Sequence, residues 1–167
     1  MNYHNITYPD MNNGTGLRVV LWISGCRHHC KGCQNPQTWD PESGVLFDDE
    51  AEKELFEELE KDYISGVTFT GGDPLMHPYQ IYLLSDKIIR KFHHKKSIWI
   101  YTGFTWEEIL NSREMTKAII SANVVVDGEY KEELRSTNLP WVGSSNQRVI
   151  DVQMSLRKGE IVLWDTN

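Results

Sequence analysis

The sequence has no long apolar run and no excess of positive charge. No segment approaches the ~18 consecutive apolar residues that a membrane helix needs, and the opening MNYHNITYPD lacks the basic start and apolar stretch of a secretion signal. Seventeen Lys and Arg residues face 24 Asp and Glu residues, for a formal net charge of -7. A protein that tracks a phosphate backbone normally has the opposite balance. We therefore expect a cytoplasmic protein that binds neither membrane nor nucleic acid.

Cysteine is also scarce, and all of it lies in one short stretch. The segment SGCRHHCKGCQNPQTWD, residues 24–40, contains Cys26, Cys30 and Cys33, and the rest of the chain contains none. Disulfides need pairs of cysteines and a closed tetrahedral zinc site needs four ligands, so neither accounts for three thiols alone. In a reducing cytoplasm such a local group of cysteines more often binds metal than forms disulfides.

Two ordinary interpretations of the three cysteines stay open. Their spacing of i, i+4 and i+7 is that of one helical face, which makes them candidates for small buried core residues. The charged Arg27 and Lys31 between them argue against a buried helix. With His28 or His29 as a fourth ligand they form a Cys3His zinc site, although zinc ligands normally come from two separated pairs.

A 4Fe-4S cluster accounts for the odd number of thiols. Each iron of such a cluster is normally held by one thiolate, so three thiolates leave one iron open. An open metal position is typical of catalysis rather than of structure. We also expect the positive charges of Arg27 and Lys31 to favour the thiolate forms of the cysteines.

Short apolar strands alternate with amphipathic helices along the chain. The predicted strands are residues 17–23, 66–70, 97–103 and 123–128, and the predicted helices are residues 48–63, 78–92 and 105–121. This alternation requires crossover connections and predicts a mainly parallel sheet covered by helices. Two later apolar runs, residues 147–153 and 160–165, are typical of a terminal hairpin or of edge strands.

The length of the chain limits its architecture. A complete eight-stranded α/β barrel takes about 250 residues, so the sequence predicts one domain, residues 1–167, with an open sheet or an incomplete barrel. In both architectures ligands bind at the carboxyl ends of the strands. The cysteine segment follows the first predicted strand and GGDP, residues 71–74, follows the second. We therefore expect the two segments to lie at the same edge of the sheet.

The segment GGDP has the chemistry of a ligand-binding turn, although the same residues also form ordinary turns. Gly71 and Gly72 remove side chains where a backbone approaches a ligand closely. Free carbonyls at the end of a strand accept hydrogen bonds from an ammonium group, and Pro74 ends the strand. The interval between this turn and the cysteines makes the combination more specific than either part.

These motifs resemble those of a known superfamily. The pattern Cys-x3-Cys-x2-Cys after one strand, with GGDP after the next, is similar to that of the radical S-adenosylmethionine enzymes. The short length and four further segments indicate one family within this superfamily: RVVLWISGC and CQNPQTW beside the cysteines, and VDGEY and GSSNQRVIDV later in the chain. Across residues 13–152 they resemble the activating proteins of anaerobic (class III) ribonucleotide reductase.

The resemblance implies a fold, two cofactors and a set of site residues. The implied fold is α/β, an incomplete and laterally open (β/α) barrel of the radical S-adenosylmethionine type. The implied cofactors are a 4Fe-4S cluster and S-adenosyl-L-methionine. The implied cluster ligands are Cys26, Cys30 and Cys33, and the implied contacts to S-adenosylmethionine are Gly71, Gly72, Asp73 and Pro74 at its methionine end and Gly32, Cys33 and Gln34 beside its adenine.

The resemblance also implies an activity and its partners. A one-electron donor such as a flavodoxin or ferredoxin reduces the cluster, and S-adenosylmethionine is cleaved to methionine and a 5′-deoxyadenosyl radical. That radical takes a hydrogen atom from a glycine of the large subunit of the reductase, so the protein is expected to be an oxidoreductase. Two alternatives stay open. The first is an activase of another glycyl-radical enzyme, of the pyruvate formate-lyase type, or a related small radical enzyme such as a modified-nucleoside synthase. The second is a non-catalytic zinc-binding interaction module.

Three positions depart from the pattern of the superfamily. Gly32 stands where many members have an aromatic or bulky residue before the third cysteine, so an adenine contact there has to use backbone. Asp73 stands where Glu is more common, and residues 14–16 read Gly-Thr-Gly where activases often have Gly-Pro-Gly. None of these departures removes a metal ligand.

For several further polar and aromatic residues the sequence predicts only a general role. His28 and His29 are expected to be exposed loop residues, and Trp39 is expected to pack the cysteine segment onto the domain. Three residues near predicted strand ends either contact a ligand or cap the structure: Thr102, Asp127 and Asn146.

Overall fold

The computed structural model describes residues 1–165, which form one seven-stranded sheet and five α-helices. The strands are β1 (Asn2–Asp10), β2 (Leu17–Ile23), β3 (Val45–Leu46), β4 (Ile64–Gly71), β5 (Ser97–Tyr101), β6 (Val124–Asp127) and β7 (Arg148–Asp151). The helices are α1 (Asp49–Leu59), α2 (Pro78–Phe92), α3 (Trp106–Leu110), α4 (Arg113–Ile119) and α5 (Val152–Lys158). The prediction of one domain ends at residue 167, and residues 166 and 167 lie outside the described part. Within residues 1–165 no helix has the length and apolar character needed to cross a bilayer.

The sheet is mixed and open. Its strand order is β3-β1-β2-β4-β5-β6-β7, and the four central strands β2, β4, β5 and β6 run parallel. Antiparallel strands flank this centre, with β1 beside β2 and β7 beside β6. The predicted α/β class and the predicted lack of closure are confirmed. That the sheet belongs to a barrel of the radical S-adenosylmethionine type stays a prediction.

The helices and the sheet enclose the main core on one side of the sheet. Alternate strand residues such as Leu21, Phe69 and Ile100 pack there against helical residues such as Leu55 and Ile88. Residues of period two on a strand share one face, so these positions fix the helical side of the whole sheet. On this side α1 and α2 lie where the apolar periodicity predicts them.

The opposite side, the inner face, has a separate and smaller apolar group. Trp99, Val124 and Val126 form it, and Trp141 and Trp164 pack against them from loop segments. None of its described members belongs to an α-helix. Parallel sheets usually have helices on both faces, so a face covered only by loops leaves room for a ligand or a partner.

A buried arginine lies on the inner face. Arg18 is fully buried, and its guanidinium donates to the Thr68 hydroxyl at 2.7 Å, the Val67 carbonyl at 2.6 Å and the Ser97 carbonyl at 3.1 Å. Two further bonds reach the Thr15 carbonyl and the Ser97 hydroxyl, so all five donors are used. Burial lowers the pKa of Arg18 to about 10. The strand predicted from its apolar, β-branched run thus contains a buried charge whose donors are all satisfied.

Three parts of the predicted secondary structure are wrong. The opening residues form β1, which went unrecognised because only Ile6 of its nine residues is buried. The terminal hairpin is not formed: β7 is an edge strand as expected, but α5 follows it directly, and the run at residues 160–165 contributes only a bridge from Leu163 to Ile150. The predicted helix over residues 105–121 is two helices, α3 and α4, of which the second is capped by Ser112.

Candidate functional site

The cysteine loop, residues 24–40, leaves the carboxyl end of β2 and returns beside its own start. The Gly25 N–H donates to the Thr38 carbonyl at 2.8 Å, and the Cys26 N–H donates to the Trp39 carbonyl at 2.9 Å. Residues 26–35 contain no helix, so the interpretation of the three cysteines as one face of a core helix is wrong. All three thiols are free of disulfides.

The glycine turn, residues 71–74, is bonded to the base of the cysteine loop. The Gly72 N–H donates to the Ile23 carbonyl at 2.7 Å, and the Asp73 N–H donates to the Gly25 carbonyl at 2.8 Å. A Cβ at Gly72 would lie 2.5 Å from the Gly25 oxygen, and Gly71 has a positive φ of 105°. The backbone closest to Gly71 is that of β2, and the backbone closest to Gly72 is that of the cysteine loop, so close packing of the protein chain also requires these glycines. That they clear space for a ligand stays a prediction.

His28 joins the cysteine loop to two other segments. Its Nε2 lies 2.8 Å from Asp73 Oδ2 and its Nδ1 lies 2.9 Å from Glu129 Oε1. The ring also packs edge-on against Phe104, with 4.7 Å between centroids. The hydrogen bond to Asp73 is the main cause that raises the pKa of His28. The expectation that His28 is an exposed loop residue is therefore wrong, whereas His29 is exposed as predicted.

The Asp73 carboxylate is buried and fully engaged by protein groups. Besides His28 it accepts from the Thr102 hydroxyl at 2.9 Å, the Gly103 N–H at 2.9 Å and the Leu75 N–H at 2.9 Å. These donors come from the cysteine loop, the glycine turn and the segment after β5. The carboxylate therefore holds three segments together, and only the backbone of Asp73 stays a candidate for contact with a ligand.

One cleft of about 530 Å³ opens at this edge of the sheet and continues onto the inner face. Of the predicted site residues it is lined by Cys26, Cys30, Cys33, Gln34, Gly71, Gly72 and Asp73. Gly32 and Pro74 are not among its lining residues. The strand order thus brings the cysteine loop and the glycine turn to one cavity, as expected from their positions after neighbouring parallel strands.

The cleft has further walls that the sequence analysis missed. Tyr101 at the end of β5 and Trp141, Gln147 and Tyr130 beyond β6 all line it. The Tyr101 hydroxyl is buried with no hydrogen-bond partner, and burial raises the pKa of this phenol. The signal was present in β5, since alternation places Tyr101 on the same face as Trp99 and away from the helices.

The basic neighbours do not hold Cys26 and Cys30 as thiolates. Burial raises the pKa of Cys26 to about 11 and also raises the pKa of Cys30. Arg27 instead lies over the Phe104 ring at 4.8 Å, and Lys31 pairs with Glu132 at 3.2 Å. The expectation for Arg27 and Lys31 is therefore wrong. A metal that binds here has to displace the thiol protons itself.

Comparison with known proteins agrees with the chemistry of this loop. Residues 12–150 match the family described as a 4Fe-4S single cluster domain. The chain is 42% identical over 151 residues to the anaerobic ribonucleoside-triphosphate reductase-activating protein of Enterobacteria phage T4, covering 89% of this chain and 93% of that protein. Proteins of the same description from Haemophilus influenzae (strain ATCC 51907 / DSM 11121 / KW20 / Rd) and Escherichia coli (strain K12) are 36% and 39% identical, with 88% and 89% of this chain covered and 96% and 97% of theirs.

The chain belongs to the family of anaerobic ribonucleoside-triphosphate reductase-activating proteins. The resemblance drawn from the motifs is thereby confirmed. The match to a 4Fe-4S domain supports an iron–sulfur cluster as a cofactor of this activating protein.

The donor set of this activating protein fits such a cluster. Three free thiols of one loop face one cleft, and in a 4Fe-4S cluster each thiolate binds a different iron. The Asn35 N–H lies 3.4 Å from the Cys33 sulfur, a contact of the kind that tunes cluster potentials. Both ring nitrogens of His28, one of the two candidate fourth zinc ligands, face carboxylates. Within residues 1–165 no three His, Cys, Asp or Glu side chains are arranged to share a single metal ion.

The remaining polar candidates of the activating protein have structural partners. Thr102 bonds to Asp73, and Asp127 accepts from the Trp106 N–H at 2.7 Å and from Arg148 Nε at 3.0 Å. Asn146 donates to the Glu129 carbonyl at 2.8 Å, but its buried side-chain oxygen has no hydrogen-bond partner. These contacts favour the capping interpretation for Thr102 and Asp127, and both interpretations stay open for Asn146.

Trp39 packs within the cysteine loop itself. Its ring lies 4.7 Å from that of His29, and its indole N–H is buried without a partner at the wall of the cleft. This contact lies within the loop, so the expectation that Trp39 packs the cysteine segment onto the domain stays a prediction.

Proposed function

We propose that this protein activates anaerobic ribonucleotide reductase by generating a glycyl radical on its large subunit. The observation that carries the proposal is the meeting of three free thiols and the glycine turn at one cleft. The names of the relatives describe activating proteins of that reductase and support the identity of the partner.

We assign the cluster to Cys26, Cys30 and Cys33, with one iron left for S-adenosylmethionine. When bound, the cluster supplies one electron, received from a flavodoxin or ferredoxin type donor, that splits the S–C5′ bond and so provides the 5′-deoxyadenosyl radical that takes a Cα hydrogen from the glycine. The role of the chain is to orient the ligands and to exclude competing reactions.

The glycine turn is assigned to the methionine end of S-adenosylmethionine through its backbone. Gly71 and Gly72 line the cleft beside the cysteines, and their main chain is fixed by the bonds to Ile23 and Gly25. Gln34, which is exposed, and Cys33 line the same cleft and are assigned to the adenine side. Gly32 and Pro74 do not line the cleft, so we assign them positioning roles.

The open sheet supports a macromolecular substrate. The helices cover one face only, and the inner face is covered by loops. A glycine that belongs to a large partner has to enter the cleft as a length of main chain, which a sealed barrel does not admit. The laterally open barrel predicted from the sequence is the architecture that this activity needs.

The test is anaerobic reconstitution of the purified protein. We expect close to four irons per chain, a brown colour that bleaches on reduction, and 5′-deoxyadenosine when dithionite and S-adenosylmethionine are added. Replacing any one of the three cysteines by alanine should abolish the product, whereas His29→Ala, in the same loop, should retain it. A colourless zinc protein, or product formation by the Cys30→Ala variant, would contradict the proposal.

The identity of the partner is tested separately. Incubation with class III reductase should yield the doublet spectrum of a glycyl radical, and incubation with a pyruvate formate-lyase should not. The opposite result would assign the protein to the other class of activase.

A further inference from the structure

A loop between β6 and β7 closes over the inner face. Its ends are joined by the bridge between Arg135 and Ser144 and by hydrogen bonds from the Ser136 N–H to the Gly143 carbonyl and from the Ser145 N–H to the Leu134 carbonyl. Between them lies the lid segment, residues 136–142. The ends are thus fixed, and only the middle is available to move.

The lid segment lies on the surface where the proposed substrate has to enter. Leu139, Trp141 and Val142 line the same cleft as the three cysteines. The Trp141 ring packs edge-on against Trp99, with 5.8 Å between centroids. The space beside the proposed radical source is therefore bounded by a piece of this chain.

The lid segment is weakly held. Among the described residues, no backbone group of residues 137–142 has a backbone hydrogen-bond partner. Trp141 has a φ of +67°, a conformation that is strained for a bulky residue. Its indole N–H and the Tyr101 hydroxyl are both buried without partners. The closed position thus leaves two donors unsatisfied, which lowers the cost of opening.

We propose that the lid segment opens to admit the glycine-bearing segment of the reductase, and that the Tyr101 hydroxyl then donates a hydrogen bond to a main-chain carbonyl of that segment. The inference rests on the proposed function and adds to it the means by which the substrate is admitted and held. An extended peptide offers carbonyl acceptors, and both unsatisfied groups are donors. At the tip of the lid segment Leu139 and Pro140 are exposed and give the partner an apolar point of contact.

The first test removes the ring that holds the lid closed. Trp141→Ala eliminates the contact with Trp99 and keeps the strained positive φ, so the purified reductase should bind with a dissociation constant several-fold lower, because the cost of opening no longer reduces its affinity. Trp164→Ala is the matched control: Trp164 packs against the same Trp99 ring at 6.0 Å but does not line the cleft. It should bind the reductase as the wild type does.

The second test removes only the hydroxyl of Tyr101. Tyr101→Phe should weaken binding of the reductase about 5- to 10-fold, the effect of one hydrogen bond. Thermal stability of the free protein should be unchanged or higher, because the lost group had no partner. Tyr79→Phe, on the exposed side of α2, should change neither quantity.

The outcomes separate the inference from the function on which it rests. Wild-type protein that forms no 5′-deoxyadenosine refutes the proposed function. If the wild-type protein forms 5′-deoxyadenosine but the Trp141→Ala variant binds the reductase equally or more weakly, the proposed opening of the lid segment is overturned. Unchanged binding by Tyr101→Phe overturns the assigned hydrogen bond.

Discussion

A substitution of Asp73 distinguishes most clearly between a structural and a ligand-binding role for a side chain at this site. Its buried carboxylate accepts from His28, Thr102, Gly103 and Leu75. Asp73→Asn keeps one acceptor oxygen but turns an NH2 group towards donors that then have no acceptor. Breaking a buried charged pair costs about 3–5 kcal/mol, and since one oxygen remains we expect a loss of about 3 kcal/mol in the free energy of unfolding.

The assay is urea unfolding of the metal-free protein, in which no cofactor contributes. A loss of about 3 kcal/mol is a large share of the ~5–15 kcal/mol of a typical domain. Iron loading should fall as well, because the cysteine loop loses its tie through His28. Asp127→Asn is the matched control: this carboxylate is equally buried, bonds to Arg148, and does not line the cleft, so stability should fall while iron loading is kept.

A ligand-binding role for the Asp73 side chain makes the opposite prediction. Asp73→Asn would then unfold within ~0.5 kcal/mol of the wild type and would lose affinity for S-adenosylmethionine instead. That pair of results would refute the structural assignment.

Three further changes test other parts of the structure. Arg18→Lys offers three donors where five are used and should lower the free energy of unfolding by about 2–4 kcal/mol in urea; a change within ~0.5 kcal/mol would contradict the network. The hydrogen bond from Arg148 lowers the pKa of Glu107, so the pair stabilises the fold above the ordinary glutamate pKa and loses this effect as the pH falls through the lowered pKa. In an acid titration followed by circular dichroism, the Glu107→Gln variant should lose less stability than the wild type as the pH falls. An equal loss of stability would contradict the pairing. Gly71→Ala, with a Cβ 2.6 Å from backbone, should cost about 2–4 kcal/mol in urea unfolding. Gly128→Ala is the control, because its φ of +90° is close to the +105° of Gly71 but its Cβ would lie 3.8 Å from the nearest atom, and it should cost only about 1 kcal/mol. Equal costs would place the effect in φ alone.

The central architecture was predictable because its signals are local. Apolar, β-branched runs mark β2, β4, β5 and β6, and α1 has an N-cap at Asp48 with acidic residues in its first turn. The shared position of the cysteine loop and the glycine turn follows from parallel strand order alone. These features need no knowledge of which side chains meet.

The elements that were missed have weak or misread local signals. Only Ile6 is buried in β1, so its alternation carries little information. Helix α5 has seven residues, yet Asp151 accepts from the Met154 N–H at its start and Gly159 ends it, and these two residues mark a helix rather than the turn of a hairpin.

The partners within the site were beyond local reasoning. Asp73 is joined to His28 and Thr102, which are 45 and 29 residues away in the chain. Lys31 meets Glu132 rather than a thiol. Contacts of this range depend on how the elements pack, and a single sequence specifies that only through the finished fold.

The contacts that hold the cysteine loop bear on what happens when the protein is exposed to oxygen. Main-chain bonds to the glycine turn, the His28 bridge to Asp73 and Glu129, and the Lys31–Glu132 pair are all made between protein groups. A zinc finger is unfolded without its metal, but this loop is also held by contacts that need no metal. If oxygen destroyed a cluster bound here, these contacts would remain, and we expect recovery to require fresh iron and sulfide rather than newly synthesised protein.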